Sequence, residues 1–412
     1  MVKELFYNNK TDSTINIVNS KIDGMRSRDI SQTGFRVFTS DGRMGMSAAE
    51  GEYNDKDLWQ KAEDSIDLGL TYNYDLERDK KLSERRGDTD LLNLDYLRGF
   101  TENLLRELEK LSNQFIVSEK VTASLSEIGL NNTLGLDLNQ KKINLESWLL
   151  IKRKGSRDII DAFLSFESYT KPNLDKIVED AENIFKISTL DEISIDQKEI
   201  PVVFMYGEIL QKFYEDISGK LYQNGISLLA GKKGKQIFSD KINLIQTGIL
   251  DKHFIFNPFD HEGYIHNQDR YLVRNGILET IFYDKETAAK YNEKTTGNGF
   301  RSFDSNPVIN SLSPIFESTT NRSLKELSSD QPILIPFISG GGDFLPNGDY
   351  SSPVQVGFLM KNGKIIGKTK QCTIKGNYIK SLNENLLGVV RNDLLNMFNG
   401  RNSVVSRMEV FE

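Results

Sequence analysis

Asp260-His261-Glu262-Gly263-Tyr264-Ile265-His266 opens a stretch with two incompatible readings. It continues through Tyr271-Leu272-Val273-Arg274-Asn275-Gly276-Ile277-Leu278 and Thr287-Ala288-Ala289, and closes on Thr295-Thr296-Gly297-Asn298-Gly299-Phe300-Arg301. Two histidines, with a glutamate beside the first, are the residue types of a peptidase zinc helix. In the H-E-x-x-H form of that helix the histidines stand four residues apart on one face. Here they are five apart, and on a regular helix their side chains would diverge by about 140°. The context also opposes a helix. Pro258 precedes the stretch, Gly263 interrupts it, and Asn267 and Asp269 follow. The alternative is a D-x-E-G loop leading into a hairpin whose turn is Asn275-Gly276, with no metal and with His261 at a variable position.

Working outward, Gly34-Phe35-Arg36-Val37-Phe38 and Met44-Gly45-Met46-Ser47 flank Asp41-Gly42, a second hairpin signal. Leu58, Trp59, Ala62 and Ile66 predict a helix over 57–67. Residues 73–90 are charged and without periodicity, which predicts a surface loop. Leu97, Phe100, Leu104, Leu108 and Leu111 predict a long helix. Alternation from Phe115 to Leu150 around Asn131-Asn132-Thr133-Leu134-Gly135 predicts strands of a second sheet. Pro172, read as a first-turn proline, opens a helix carrying Leu174, Ile177, Val178, Ala181, Ile184 and Phe185. Polar residues at 194–200 predict a boundary. Beyond them come the buried strand Pro201–Phe204, a helix, and short strands punctuated by glycine, including the hairpin turn Asn362-Gly363.

Composition sets the outer limits. A hydrophobic content of 38% with 10% aromatics supports packed cores over 412 residues, enough for two or three domains. The net charge of −7 gives no basic footprint for nucleic acid. The single cysteine, Cys372, excludes an internal disulfide and fits a reducing compartment. Met1-Val2-Lys3-Glu4 leads into no apolar run, so no signal peptide is expected, and no stretch has the length of a membrane span. A cytoplasmic location is the expectation.

Several motifs recur in one order and spacing: Asp260-x-Glu262-Gly263, Asn275-Gly276-Ile277-Leu278, Thr287-Ala288-Ala289 and Thr295-Thr296-Gly297-Asn298-Gly299. Further on come Gly348-Asp349-Tyr350-Ser351, Gly357-Phe358, Asn362-Gly363-Lys364-Ile365 and Thr373-Ile374-x-Gly376-Asn377. With weaker matches at Gly34-Phe35-Arg36-Val37 and Asn132-Thr133-x-Gly135, they make the chain resemble the TldD/PmbA family, also called modulators of DNA gyrase. The resemblance spans nearly the whole chain. It implies two kinds of subunit. A TldD-like one carries zinc on an H-E-x-x-x-H helix with a late cysteine. A TldE-like one, also named PmbA, lacks that site. The two associate to degrade or trim unfolded peptides.

On this chain the metal helix maps to Tyr206–Asp216, after the strand Pro201–Phe204. Its first histidine falls on Gly207 and its second on Lys212. Glu208 keeps the position of the base, but without ligands it cannot activate a metal-bound water. Tyr206, Ile209, Leu210, Phe213, Ile217 and Leu221 form one apolar stripe, and Glu208 pairs with Lys212 at i,i+4. The family's cysteine lies beyond the position matched by Asn392-Asp393, where this chain has none; Cys372 lies upstream in an expected strand and reads as packing. His253 completes the three histidines. Gly231-Lys232-Lys233-Gly234-Lys235 lacks phosphate-loop spacing, and Gly340-Gly341-Gly342-Asp343 reads as a tight loop near which a peptide backbone has room.

The sequence therefore predicts an α+β protein: N-terminal α/β sheets with helices, then a strand-rich C-terminal domain, divided as 1–113, 114–195 and 196–412. The expected role is a non-metal, TldE-like subunit of a heteromeric cytoplasmic metallopeptidase that degrades or trims unfolded peptides. It binds no cofactor itself and shapes the chamber around zinc held by a TldD-like partner. Gly341, Asp349, Tyr350 and Ser351 are the candidate peptide-chamber residues. Neither nucleic acid nor membrane is an expected partner, and a homo-oligomer is allowed for the chain alone. One alternative is a zinc peptidase in its own right, using His261, Glu262 and His266. Another is a non-proteolytic regulator associated with DNA gyrase or a toxin–antitoxin system.

Overall fold

The computed structural model describes residues 1–204, 208–247, 257–310, 314–318, 320, 322–340, 342–391 and 402–412, with the side chains of Glu208 and Ile209 also outside the description. The N-terminal half runs β1 (Val2–Val18), β2 (Lys21–Phe38), β3 (Met44–Glu50), α1 (Asp55–Asp64), β4 (Lys81–Arg86), α2 (Leu94–Leu111), β5 (Phe115–Asn132), β6 (Asp137–Arg153), β7 (Ala162–Ser168) and α3 (Leu174–Ser188). Then follow β8 (Glu192–Ile193), β9 (Glu199–Phe204), α4 (Glu208–Asp216), α5 (Gly219–Gln223), β10 (Leu244–Gln246), β11 (Arg270–Arg274), β12 (Ile277–Leu278), α6 (Lys285–Tyr291), β13 (Gly299–Phe300), β14 (Val308–Ile309) and β15 (Ile315–Phe316). The chain ends with α7 (Leu324–Leu327), β16 (Ile333–Ser339), β17 (Asp343–Phe344), β18 (Asp349–Lys361), β19 (Lys364–Thr369), β20 (Cys372–Asn377), α8 (Tyr378–Ser381), β21 (Leu386–Arg391) and β22 (Asn402–Phe411). The class is α+β and strand-rich, as the sequence predicts.

The first seven strands form one sheet in the order β3-β2-β1-β5-β6-β4, with β7 on β6. The second sheet expected from residue 115 does not exist as a separate unit. β5 pairs along β1 from Glu4↔Asn132 to Ile17↔Glu119, so the hydrogen-bond ladder crosses the expected division at 113/114 without a break. The expected surface loop at 73–90 contains β4, which joins β6 in parallel. Its charged residues sit on an edge strand, where one side stays in water. The helix after Pro172 begins two residues later than expected: Asn173 caps it by accepting the N–H of Lys176 at 3.2 Å, and Pro172 stands outside.

The helices form because their apolar residues share one stripe. Leu97, Phe100, Leu104 and Leu108 of α2 are buried, and so are Ile177, Ala181, Ile184 and Phe185 of α3. Both helices share a core with the N-terminal sheet and one face of the C-terminal sheet, where Phe115 stacks on Phe185 at 4.3 Å. The nine-stranded C-terminal sheet has the order β16-β9-β22-β20-β18-β19-β8, with β17 on β18 and β21 on β22. Period-two alternation lets it serve two cores. Val203 faces the α2/α3 side, while Ile200, Val202 and Phe204 face a second core closed by Leu210 and Phe213 of α4. β8 precedes the expected boundary at 195/196, yet it pairs with β19 of this sheet. Both Asn-Gly hairpins are realised with positive φ, 48° and 77° at Asn275-Gly276 and 50° and 74° at Asn362-Gly363, the turn that matches strand twist. Among the described residues no helix is long and apolar enough to cross a membrane.

Candidate functional site

The D-x-E-G stretch is a turn, not a helix. Phe259 bridges to Ile265, the N–H of His266 donates to Pro258 O at 2.8 Å, and Gly263 takes φ +89°. Asp260, fully buried, organises the turn. Its Oδ1 accepts the N–H of Glu262 at 3.0 Å and of Tyr264 at 2.8 Å, and its Oδ2 accepts that of Gly299 at 3.1 Å. Glu262 Oε2 accepts the N–H of Lys285 at 2.8 Å, at the start of α6. The loop is seated on the end of the N-terminal sheet. Phe259 and Ile265 pack with Phe6, Leu130 and Leu138, and Arg301 pairs with Glu4 at 3.0 Å while its guanidinium lies over the Phe6 ring.

This geometry uses His261, Glu262 and His266 for packing. The His261 ring lies between Phe6 and Phe300, at 4.7 and 5.0 Å, and its Nδ1 accepts the N–H of Arg301 at 3.0 Å. His266 is buried beside Tyr264, its Nε2 without a hydrogen-bond partner. Burial pulls both imidazoles down to about 4, so both are neutral at pH 7. Among the described residues no three His, Cys, Asp or Glu side chains converge as a metal site. The helical zinc reading of this stretch has no helix to stand on.

The helix expected to match the family's metal helix is α4. Gly207 lies outside the described residues, and a glycine offers no side-chain ligand. Lys212 is described, and its ammonium reaches Asp216 Oδ1 at 3.0 Å, with Glu215 at 3.7 Å. Asp216, which Lys212 holds, is 0% exposed, and the side chain of Glu208, the expected surface partner, lies outside the described residues. Asp216 has other partners too: Tyr378 donates its hydroxyl to Oδ2 at 2.6 Å, and Leu228 its N–H to Oδ1 at 3.2 Å. A buried carboxylate needs a cation and filled lone pairs, and Lys212 supplies the cation. Residues without a ligand at one position, and with a paired ammonium at the other, do not fit zinc. Cys372 is buried in the second core, and burial pushes its thiol up to about 11, away from the thiolate a metal takes. Asn392, Asp393 and His253 lie outside the described residues.

Three of the candidate chamber residues, Asp349, Tyr350 and Ser351, line a groove of about 690 Å³ across the C-terminal sheet. Its floor is a row of directly opposed residues on β9, β22, β20, β18 and β17: Glu199, Glu409, Lys375, Ser351 and Asp343. Asp349 stands at its rim. Asn347 and Asn377 donate their Nδ2 groups to its carboxylate at 2.7 and 3.0 Å, which hold it below the ordinary carboxylate range. Ser351 lines the groove. Tyr350 is among the residues around the groove, but it is only 4% exposed and its ring packs on Phe344 at 4.8 Å within the second core. The expectation that Tyr350 faces a substrate is corrected: neighbours in a strand point to opposite faces. Gly341 lies outside the described residues. Reading the sequence missed the row Glu199–Glu409–Lys375, since cross-strand register is not written in any one segment, and it missed Asp216 and Tyr378, which tie α4 to the groove.

Residues 197–406, just over half the chain, match the model of the PmbA/TldA metallopeptidase C-terminal domain. An uncharacterized protein of Methanocaldococcus jannaschii is 26% identical over 347 residues, 81% of this chain and 78% of that protein. A metalloprotease PmbA homologue of Haemophilus influenzae is 28% identical over 207 residues, 49% of this chain and 44% of that protein, so the match spans less than half of that relative. Among solved structures, TldE from Thermococcus kodakarensis superposes with a TM-score of 0.82 at 20% identity, covering 100% of this chain and 96% of that one. A putative modulator of a DNA gyrase from Thermotoga maritima superposes at 0.80 and 18%, over 99% and 96%. At these identities the structures speak for the fold, and the family model speaks for membership: the chain belongs to the PmbA/TldD family of metallopeptidases.

Proposed function

We propose that this chain is a non-metal, TldE-like subunit of a heteromeric peptidase, and that its partner is a TldD-like subunit carrying the zinc. One observation carries the reading. At the position of the family's second histidine stands Lys212, with its ammonium engaged by the buried Asp216. At the first stands a glycine, so α4 offers no pair of ligands. The groove then supplies what such a subunit contributes: a sheet face that holds extended, unfolded peptide close to a neighbouring catalytic centre. Peptide that adds a strand at an edge of this sheet would be bound through its main chain, with little sequence preference. A cytoplasmic site of action accords with one buried cysteine and a chain of 38% hydrophobic residues.

The test is metal content. The chain purified alone is expected to carry no tightly bound zinc by elemental analysis, and His261→Ala is expected to leave that result unchanged. Near-stoichiometric zinc that disappears in His261→Ala overturns the non-metal assignment.

A further inference from the structure

Glu262 is 8% exposed and lies where three parts of the chain meet. Its Oε2 accepts the Lys285 N–H at 2.8 Å, and the same carboxyl rests on β13, where a Cβ at Gly299 would come within 2.2 Å of Oε2. The groups facing it are Asp260 from its own loop, Asp284 and Lys285 from the start of α6, Arg301 after β13, and Tyr74 from the N-terminal half. The two cations are engaged elsewhere. Lys285 Nζ bonds Glu77 Oε1 at 3.0 Å and Asp75 O at 2.9 Å, and Arg301 Nη2 bonds Glu4 at 3.0 Å. Among the described residues no ion pair involves Glu262, and its nearest charged companions include two carboxylates.

Such a group cannot stay ionised beside an ionised Asp260 without a counter-charge, so one of the two holds a proton. The hydrogen bonds decide which. Both oxygens of Asp260 accept main-chain N–H groups, three in all, and such donors favour the carboxylate. Glu262 accepts one N–H, on Oε2, which leaves Oε1 for a hydrogen. We propose that Glu262 is the neutral acid at neutral pH, and that its neutral form keeps α6 and β13 latched to the D-x-E-G loop, which is itself seated on the N-terminal sheet. α6 also reaches the N-terminal half of the chain, through Lys285 to Asp75 and Glu77. A cavity of about 520 Å³ opens beside the contact, lined by Tyr72, Tyr74, Glu77, Lys285, Ala288 and Ala289. Loss of the proton would place a second charge beside Asp260 and loosen that wall.

The direction of the pH effect follows. Burial, then the Asp260 charge, push the Glu262 carboxyl well up, and burial pushes Asp260 up to about 6. A carboxyl raised on folding lends stability that is complete below its unfolded value, and is lost as pH rises through its folded value. The latch is therefore firm in mild acid and weak in alkali.

The experiment compares the full-length chain with Glu262→Gln, an isostere of the neutral acid, by melting and by hydrogen exchange of 285–291 between pH 6 and pH 9.5. The wild-type melting temperature is expected to fall by several degrees more than that of Glu262→Gln across the range, with α6 exchanging faster at the alkaline end. Parallel profiles for the two proteins overturn the proposal. Asp260→Asn sharpens the assignment: it is expected to lose stability at every pH, because its amide NH2 faces N–H donors, and a flat profile there with an unchanged slope in Glu262→Gln would move the proton to Asp260 and refute the latch. Should Glu262→Gln fail to fold, carbon NMR of the glutamate carboxyls in the wild-type chain decides. One glutamate still neutral at pH 7 supports the proposal, and complete ionisation of all of them by pH 6 overturns it.

Discussion

Asp260→Ala is expected to cost about 3–5 kcal/mol of unfolding free energy, one of the two largest effects expected for this chain. The carboxylate is fully buried, and its two oxygens take the N–H groups of Glu262, Tyr264 and Gly299. Alanine leaves all of these donors dry and unpaired. Each unsatisfied buried donor costs roughly 1–3 kcal/mol, offset in part because an expensive buried charge is removed. The damage does not stay in the loop. Gly299 leads into Arg301, whose N–H holds His261 and whose guanidinium pairs with Glu4 of β1. Equilibrium denaturation checks the value. A loss below about 1 kcal/mol would mean that the loop is not what seats the C-terminal half on the N-terminal sheet.

Tyr350→Ala ranks next, at about 3–5 kcal/mol, the range for removing a buried aromatic ring from a core. The ring contacts Phe344 at 4.8 Å, and Gly342 approaches so closely that a Cβ there would stand 2.6 Å from Tyr350 Cε2. The neighbouring Ser351 faces the groove, and Ser351→Ala is expected to change stability by less than about 0.5 kcal/mol. Denaturation of the two variants side by side tests the facing of β18. A Tyr350→Ala chain as stable as Ser351→Ala would show that the ring is not in the core, and would return it to the set of groove-facing residues.

The signals legible in the sequence were those written into consecutive residues. Asn275-Gly276 and Asn362-Gly363 state their turn because few other pairs tolerate positive φ at both positions. The stripes on α2 and α3 state their buried faces. The D-x-E-G loop outweighed the helical reading of His261 and His266 because Pro258 and Gly263 bracket it, and the turn is what the structure contains. The long hairpin of β1 and β2 was silent, since much of Lys21–Ser31 is exposed on both faces and carries polar residues where alternation would otherwise speak. β4 was lost for the same reason. Lys212 had two acids at i±4, Glu208 and Asp216, and local spacing alone does not choose between them. What fixes Asp216 beneath Lys212 is Tyr378, 162 residues from Asp216 in sequence. The position of Tyr350 was readable: Asp349 and Ser351 share one face of a strand, and the residue between them must take the other.

A division of labour between two subunits is the centre of this account, and reconstitution of activity tests it most directly. The purified chain is mixed with a relative from the same genome that retains the H-E-x-x-x-H helix and the late cysteine, and cleavage of casein is followed with and without a chelator. The chain alone is expected to release no peptides, and the mixture to release them in a chelator-sensitive reaction. Cleavage by the isolated chain at a rate unchanged by removing every trace of the relative would contradict the account.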